Sequence, residues 1–164
     1  MPAHWLIKSE PSEYAFARLQ SDGRTEWTGV RNFEARNNLR AMAVGDLCLY
    51  YHSMEEKAVV GVARVSRAGR PDPTAPPGED WASVEVEPVE PLPAPVTLER
   101  IRRDSALKDF QLLTRSRLSV AKVTPAQFAR VLALSRQPEA PAPAAPRRRR
   151  AVTRRPAPRK RRAR

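Results

Sequence analysis

The chain can fold only as far as about Gln137. Beyond it, Pro138-Glu139-Ala140-Pro141-Ala142-Pro143-Ala144-Ala145-Pro146 forms a stiff linker of proline and alanine. The basic clusters Arg147, Arg148, Arg149 and Arg150, then Arg154 and Arg155, then Arg159, Lys160, Arg161 and Arg162 follow, with scarcely an apolar side chain among them. Such a segment cannot bury enough apolar surface to offset the entropy lost on ordering. Residues 138–164 are therefore expected to be a disordered basic tail, and residues 1–137 a single domain.

Charge divides the same way. The tail holds eleven Lys and Arg against one acid, Glu139, so most of the net charge of +12 sits there and residues 1–137 are close to neutral. A polyanion such as nucleic acid suits the tail, with its arginines and Lys160 as non-specific phosphate anchors. A nuclear-localisation signal, a solubility tag or an acidic-lipid contact would use the same composition. Any selectivity of residues 1–137 has to come from shape and hydrogen bonding instead.

One cysteine, Cys48, excludes a disulfide framework and a cysteine-based zinc site. The start, MPAHWLIKSEP, lacks the pattern of a signal peptide, and no apolar run approaches the length of a membrane span. The expected setting is cytoplasmic or nucleoid-associated, or nuclear in a eukaryote. The expected state is a monomer with no membrane partner.

Local patterns give an α+β order. Residues 4–8, 46–53, 58–65, 84–87 and 119–123 read as strands. Gly61, inside the apolar run Val59-Val60-Gly61-Val62-Ala63, predicts a bend or a close backbone approach. Pro88 is expected to stop the strand before it, leaving Pro91, Pro93 and Pro95 in an extended connector. Ser12 can cap a helix to about Leu19, and Asn32 one through residues 33–42. Thr97 begins a short helix toward Arg103, and residues 107–113 can hold another turn. The plainest start signal is Thr124-Pro125-Ala126-Gln127, a capping box with proline at the first helical position. Strands and helices out of strict alternation point to a small, partly closed barrel.

Enzymatic and metal chemistry find little support. The two histidines, His4 and His52, lie far apart in sequence, and His52 and Ser53 are strand neighbours that point to opposite faces. No metal or cofactor is expected. The aromatic residues carry more information. Trp5 lies near Lys8, Ser9 and Glu10, and Trp27 near Gly29, Arg31 and Asn32. Trp81 follows Glu79 and Asp80, and Tyr50-Tyr51 precede His52-Ser53. Aromatic faces beside amide, hydroxyl and guanidinium groups suit a nucleobase, stacked on a ring and read along its polar edge. The bland alternatives are core packing for the tryptophans and a helix cap for Asn32.

The segments Trp5-Leu6-Ile7-Lys8-Ser9-Glu10-Pro11 and Thr25-Glu26-Trp27-Thr28-Gly29-Val30-Arg31-Asn32-Phe33-Glu34-Ala35-Arg36-Asn37 resemble the EVE domain family. Val44-Gly45-Asp46, Tyr50-Tyr51-His52-Ser53, Arg117-Leu118-Ser119-Val120 and Val123-Thr124 extend the resemblance over residues 3–134. It implies a PUA-like fold, a small pseudo-β-barrel with flanking helices, related to YTH and ASCH domains. It also implies a pocket for a modified base, such as methylated or hydroxymethylated cytosine, in DNA or RNA. By this resemblance the base-binding residues are Trp5, Lys8, Ser9, Glu10, Trp27, Gly29, Val30, Arg31, Asn32, Tyr51, His52 and Ser53. The family usually has Tyr where Phe33 stands, and the basic tail is an addition to it. A non-catalytic reader of a flipped base is the expectation. An accessory module binding modified or structured RNA, and an enzyme acting on a nucleobase, are the alternatives.

Overall fold

The computed structural model describes residues 2–137; the tail and its proposed phosphate-binding residues lie outside the described residues. Strand β1 (His4–Ser9) leads into two short helices, α1 (Pro11–Tyr14) and α2 (Phe16–Asp22), and then β2 (Thr25–Trp27) and α3 (Phe33–Ala41). Strands β3 (Leu47–His52), β4 (Ala58–Pro71) and β5 (Ala82–Thr97) follow. Helix α4 (Leu98–Arg103), a 3₁₀ turn (Ser105–Leu107), α5 (Gln111–Thr114), β6 (Val120–Val123) and α6 (Pro125–Arg136) complete it. The strands make one sheet in the order β2-β5-β4-β3-β1-β6. Only the β1–β3 pair is parallel.

The sheet is rolled. In a flat sheet β2 and β3 would lie three strand spacings apart, about 14 Å. Yet the Trp27 ring on β2 meets the Tyr50 ring on β3 edge to face, with centroids 5.5 Å apart. The long pair β4 and β5 bends to allow this, with four breaks in its register. At Gly61 the ring of Phe16 fills the place of a side chain: a Cβ there would sit 2.5 Å from Phe16 Cζ. Tyr50, Phe110, Leu6, Ile7, Leu19, Leu39 and Leu49 are among the fully buried side chains of the core. The architecture is the expected α+β pseudo-barrel with flanking helices.

Three local expectations need correction. The strand expected to stop at Pro88 continues to Thr97 through four prolines. Beyond Val86 its only strand neighbour is β4, because β2 pairs just with Val84, Glu85 and Val86. A free edge and an irregular register accommodate residues that lack an N–H. The expected single helix from Ser12 is two helices, parted at Ala15, whose ψ of 154° is extended. Ser12 lies inside α1 and caps nothing; the cap position belongs to Glu10 and makes no side-chain hydrogen bond. The strand expected to end at residue 65 runs to Pro71.

The remaining caps match. Asn32 accepts the Ala35 N–H at 3.0 Å. Thr124 and Gln127 form both bonds of the capping box.

Candidate functional site

The two edges of the rolled sheet come together around a cavity of about 540 Å³. The end of β1 contributes Lys8, Ser9 and Glu10, and β2 contributes Thr25, Glu26 and Trp27. Between β2 and α3, Thr28, Gly29, Val30 and Arg31 form a third side. Glu13 and Tyr14 from α1, Ser53 after β3, and Arg117 and Ser119 before β6 finish the lining. Its volume falls within the usual 300–1,000 Å³ of small-molecule and cofactor sites.

The third side is held by one buried carboxylate. The Asp72 side chain is fully buried and accepts the Gly29 N–H at 2.9 Å and Arg31 Nη1 at 2.9 Å. It also accepts the Thr74 N–H and hydroxyl, each at 2.7 Å. Burial alone would raise its pKa, but the Thr74 hydroxyl, the Gly29 N–H and Arg31 outweigh it and bring the pKa down to about 2. Gly29 has φ of +81°, a conformation that L side chains rarely adopt, so the turn following Trp27 depends on glycine there. Arg31 is thus fixed at the rim, with Nη2 donating to Thr74 Oγ1 at 3.2 Å.

Trp27 is buried by protein on most of its surface, with 8% of it exposed. Tyr14 and Tyr50 both meet it edge to face. Behind β2, Glu26 accepts Arg70 Nε and the Ser83 hydroxyl, both at 2.7 Å, and Arg67 lies 3.2 Å away. The Arg70 contact, with help from Ser83 and Arg67, depresses its pKa to about 2 despite desolvation. Lys8 donates to the Ser116 carbonyl at 2.9 Å, and burial lowers its pKa from the ordinary lysine value. Glu10 and Glu13 also reach the lining, and neither carboxylate makes an ion pair among the described residues.

Of the residues named from sequence, Lys8, Ser9, Glu10, Trp27, Gly29, Val30, Arg31 and Ser53 are brought together here. Four others stand elsewhere. Trp5 is buried in the core, its indole donating to Asp46 Oδ2 at 2.9 Å. Tyr51 is buried, with Lys8 Nζ 6.0 Å from its ring centre. Asn32 caps α3 and lines an adjoining cleft. The His52 imidazole accepts the Phe16 N–H through Nε2 at 3.1 Å and meets Glu56 through Nδ1 at 2.9 Å.

Sequence reasoning did not nominate Glu13, Tyr14, Thr25, Glu26, Thr28, Arg117 or Ser119 for the cavity. Arg117 and Ser119 lay in a segment already matched to the family, which was the available signal. Their position became evident only through the pairing of β6 with β1 and the Lys8 N–H bond to the Ser119 carbonyl at 3.1 Å. Trp81 lies outside this cavity, stacked on the exposed Phe33 at 5.3 Å, with the Arg31 and Arg36 guanidinium groups beside the two rings. No group of three or more His, Cys, Asp or Glu among the described residues could hold a metal ion. No helix among them is long and apolar enough to cross a membrane.

Comparison with known proteins gives a consistent result. The family model described as the EVE domain matches residues 3–134. An uncharacterized protein of Schizosaccharomyces pombe is 33% identical over 83% of this chain and 70% of its own length. The crystal structure of an Agrobacterium tumefaciens protein superimposes with a TM-score of 0.79 at 38% identity, covering 81% of this chain and 92% of that one. Human THYN1, crystallised in complex with 5-methylcytosine-containing DNA, superimposes with a TM-score of 0.75 at 29% identity, covering 81% and 97%.

Proposed function

The chain belongs to the EVE domain family, and on that premise we propose that it binds DNA and reads a modified base, most simply a methylated cytosine, in the cavity beside Trp27. What carries this reading is one arrangement: an aromatic ring, hydroxyls, a carboxylate and a glycine turn around a single cavity. It is supported by the human relative of the same fold, crystallised with DNA containing 5-methylcytosine.

In this reading a base leaves its stack, which costs a few kcal/mol, and less when it is unpaired or mismatched. Contact with the Trp27 ring returns about 1–3 kcal/mol. Glu10 is the natural acceptor for an exocyclic amine such as that of cytosine, because a carboxylate accepts from that group. Ser9, Thr28 and Ser53 offer hydroxyls that donate or accept along the base edge. Burying one added methyl contributes only about 0.8 kcal/mol, close to a fourfold preference. A larger preference needs a shape that excludes the unmodified base or leaves a polar group unpaired. Arg147 to Arg150, Arg154, Arg155 and residues 159–162 serve as the phosphate anchor, adding affinity and salt dependence without selectivity. The protein acts as a binding module, and the residues around the cavity bind and orient the base.

The test is binding of the full-length chain, near physiological salt, to matched oligonucleotides with and without one 5-methylcytosine, as DNA and as RNA. The expected result is a fourfold to about tenfold preference for methylated DNA, reduced in a Trp27→Phe variant that melts as a folded protein. Equal affinity for every oligonucleotide would overturn the reading and leave only a charge-driven grip. A preference for the RNA forms would turn it toward an RNA-binding module.

A further inference from the structure

A second, smaller cleft adjoins the cavity. It has a volume of about 220 Å³ and is lined by Asn32, Arg115, Ser116, Arg117 and Leu118. Arg117 lines both spaces, so the cleft adjoins the site of the proposed base. The two compartments differ in charge. The larger is lined by three carboxylates, Glu10, Glu13 and Glu26, against three cations, Lys8, Arg31 and Arg117. Arg31 is already committed to Asp72, and Glu26 to Arg70. That leaves Glu10 and Glu13 opposed by Lys8 and by Arg117, which the cavity shares with the cleft, so no net positive charge is left in it to hold an anion.

No carboxylate lines the cleft. Arg115 pairs with Glu34, but Arg117 is exposed and makes no hydrogen bond or ion pair among the described residues. Beside it, Lys8 donates one hydrogen to the Ser116 carbonyl and keeps the rest of its ammonium group. The Asn32 amide nitrogen is also uncommitted, since the cap uses only Oδ1. An unpaired guanidinium, a neighbouring ammonium and an amide donor, with no acid between them, match the oxygens of a phosphodiester.

We propose that this cleft is a phosphate subsite: Arg117, supported by Lys8 and Asn32, holds the backbone phosphodiester next to the base bound beside Trp27. The inference rests on the nucleic-acid reading above. Division of labour follows from the two charge environments. The acid-bearing cavity takes the uncharged base, and the acid-free cleft takes the anion and so fixes the strand's position.

The experiment uses the full-length chain and its Arg117→Ala variant, titrated with methylated and unmethylated DNA. Each oligonucleotide is also made with one uncharged methylphosphonate linkage, placed in turn on either side of the target base. The Arg117 side chain is exposed and makes no hydrogen bond or ion pair among the described residues, so the variant should melt like the parent. For the native DNA, Arg117→Ala is expected to weaken both methylated and unmethylated binding by about the same factor, near tenfold, and to lower the salt slope by about 1. One methylphosphonate position should weaken the parent by a similar factor and leave the variant unaffected. An unchanged affinity in Arg117→Ala, or a methylphosphonate penalty equal in both proteins, would overturn the subsite. Methyl preference is read in the same titrations, so the outcomes separate. Preference without a coupled phosphate effect removes the subsite alone. A coupled phosphate effect without preference keeps the subsite and removes the base reading.

Discussion

The Nε2 of His52 accepts the backbone N–H of Phe16 at 3.1 Å, joining the end of β3 to the first residue of α2. Because an amide N–H can only donate, Nε2 carries the lone pair and Nδ1 carries the proton that faces Glu56 at 2.9 Å. The ring stands in for a capping side chain at a helix start where Ala15 offers none. Here a histidine that the family resemblance placed among the base-binding residues ties β3 to α2, next in sequence to the cavity-lining Ser53.

Replacing His52 by Ala should leave the Phe16 N–H buried without a partner. A loss of about 1–3 kcal/mol is expected. Urea denaturation measures it, and hydrogen exchange at the Phe16 amide should quicken in the variant. Unchanged exchange at that amide would show that the imidazole bond contributes nothing.

Gly61→Ala tests the roll of the sheet. The new methyl would sit 2.5 Å from Phe16 Cζ and 2.6 Å from Cε1, so the ring must shift. Overpacking of this kind costs about 1–3 kcal/mol. Thermal melting should show the loss, and a second change, Phe16→Leu, should recover part of it by vacating the space. Two independent, additive losses would contradict the contact.

Acid should unfold the protein through two carboxylates in particular. Asp72 and Glu26 have pKa values depressed to about 2 from ordinary values of 3.8 and 4.5. A depressed carboxylate contributes stability that is complete above its unfolded pKa and lost as pH falls through the folded one. Melting temperature should therefore hold from neutral pH to about 5 and fall steeply between about 4 and 2. Asp72→Asn should melt lower at neutral pH and show a shallower acid fall; a parallel curve would assign the acid sensitivity elsewhere.

Much of this fold was legible because its signals are local. The capping box at Thr124 and the Asn32 cap each rest on a residue and its immediate neighbours. What sequence missed depends on contacts far along the chain. The break at Ala15 involves the His52 ring, supplied 36 residues later in the bond to Phe16. The prolines of β5 are tolerated because β2 covers only part of that strand, a fact of sheet topology rather than of composition. The candidate site divides along the same line. Ser9, Glu10, Trp27 and Gly29 lie in compact motifs and were named, whereas Arg117 and Ser119 reach the cavity only through the pairing of β6 with β1. Trp5 illustrates the converse: a residue within a family-matched motif whose indole is used by Asp46 in the core.

The hydrogen bond from Lys8 to the Ser116 carbonyl spans 108 positions of the chain. During synthesis the polypeptide must therefore reach the start of β6 before the cavity has both its walls. Contacts of such separation carry a large loop-closure cost and form late in folding. A nascent chain released before that point would carry the Trp27 turn but not the Arg117 and Ser119 side of the cavity, so the cavity is complete only with the finished domain.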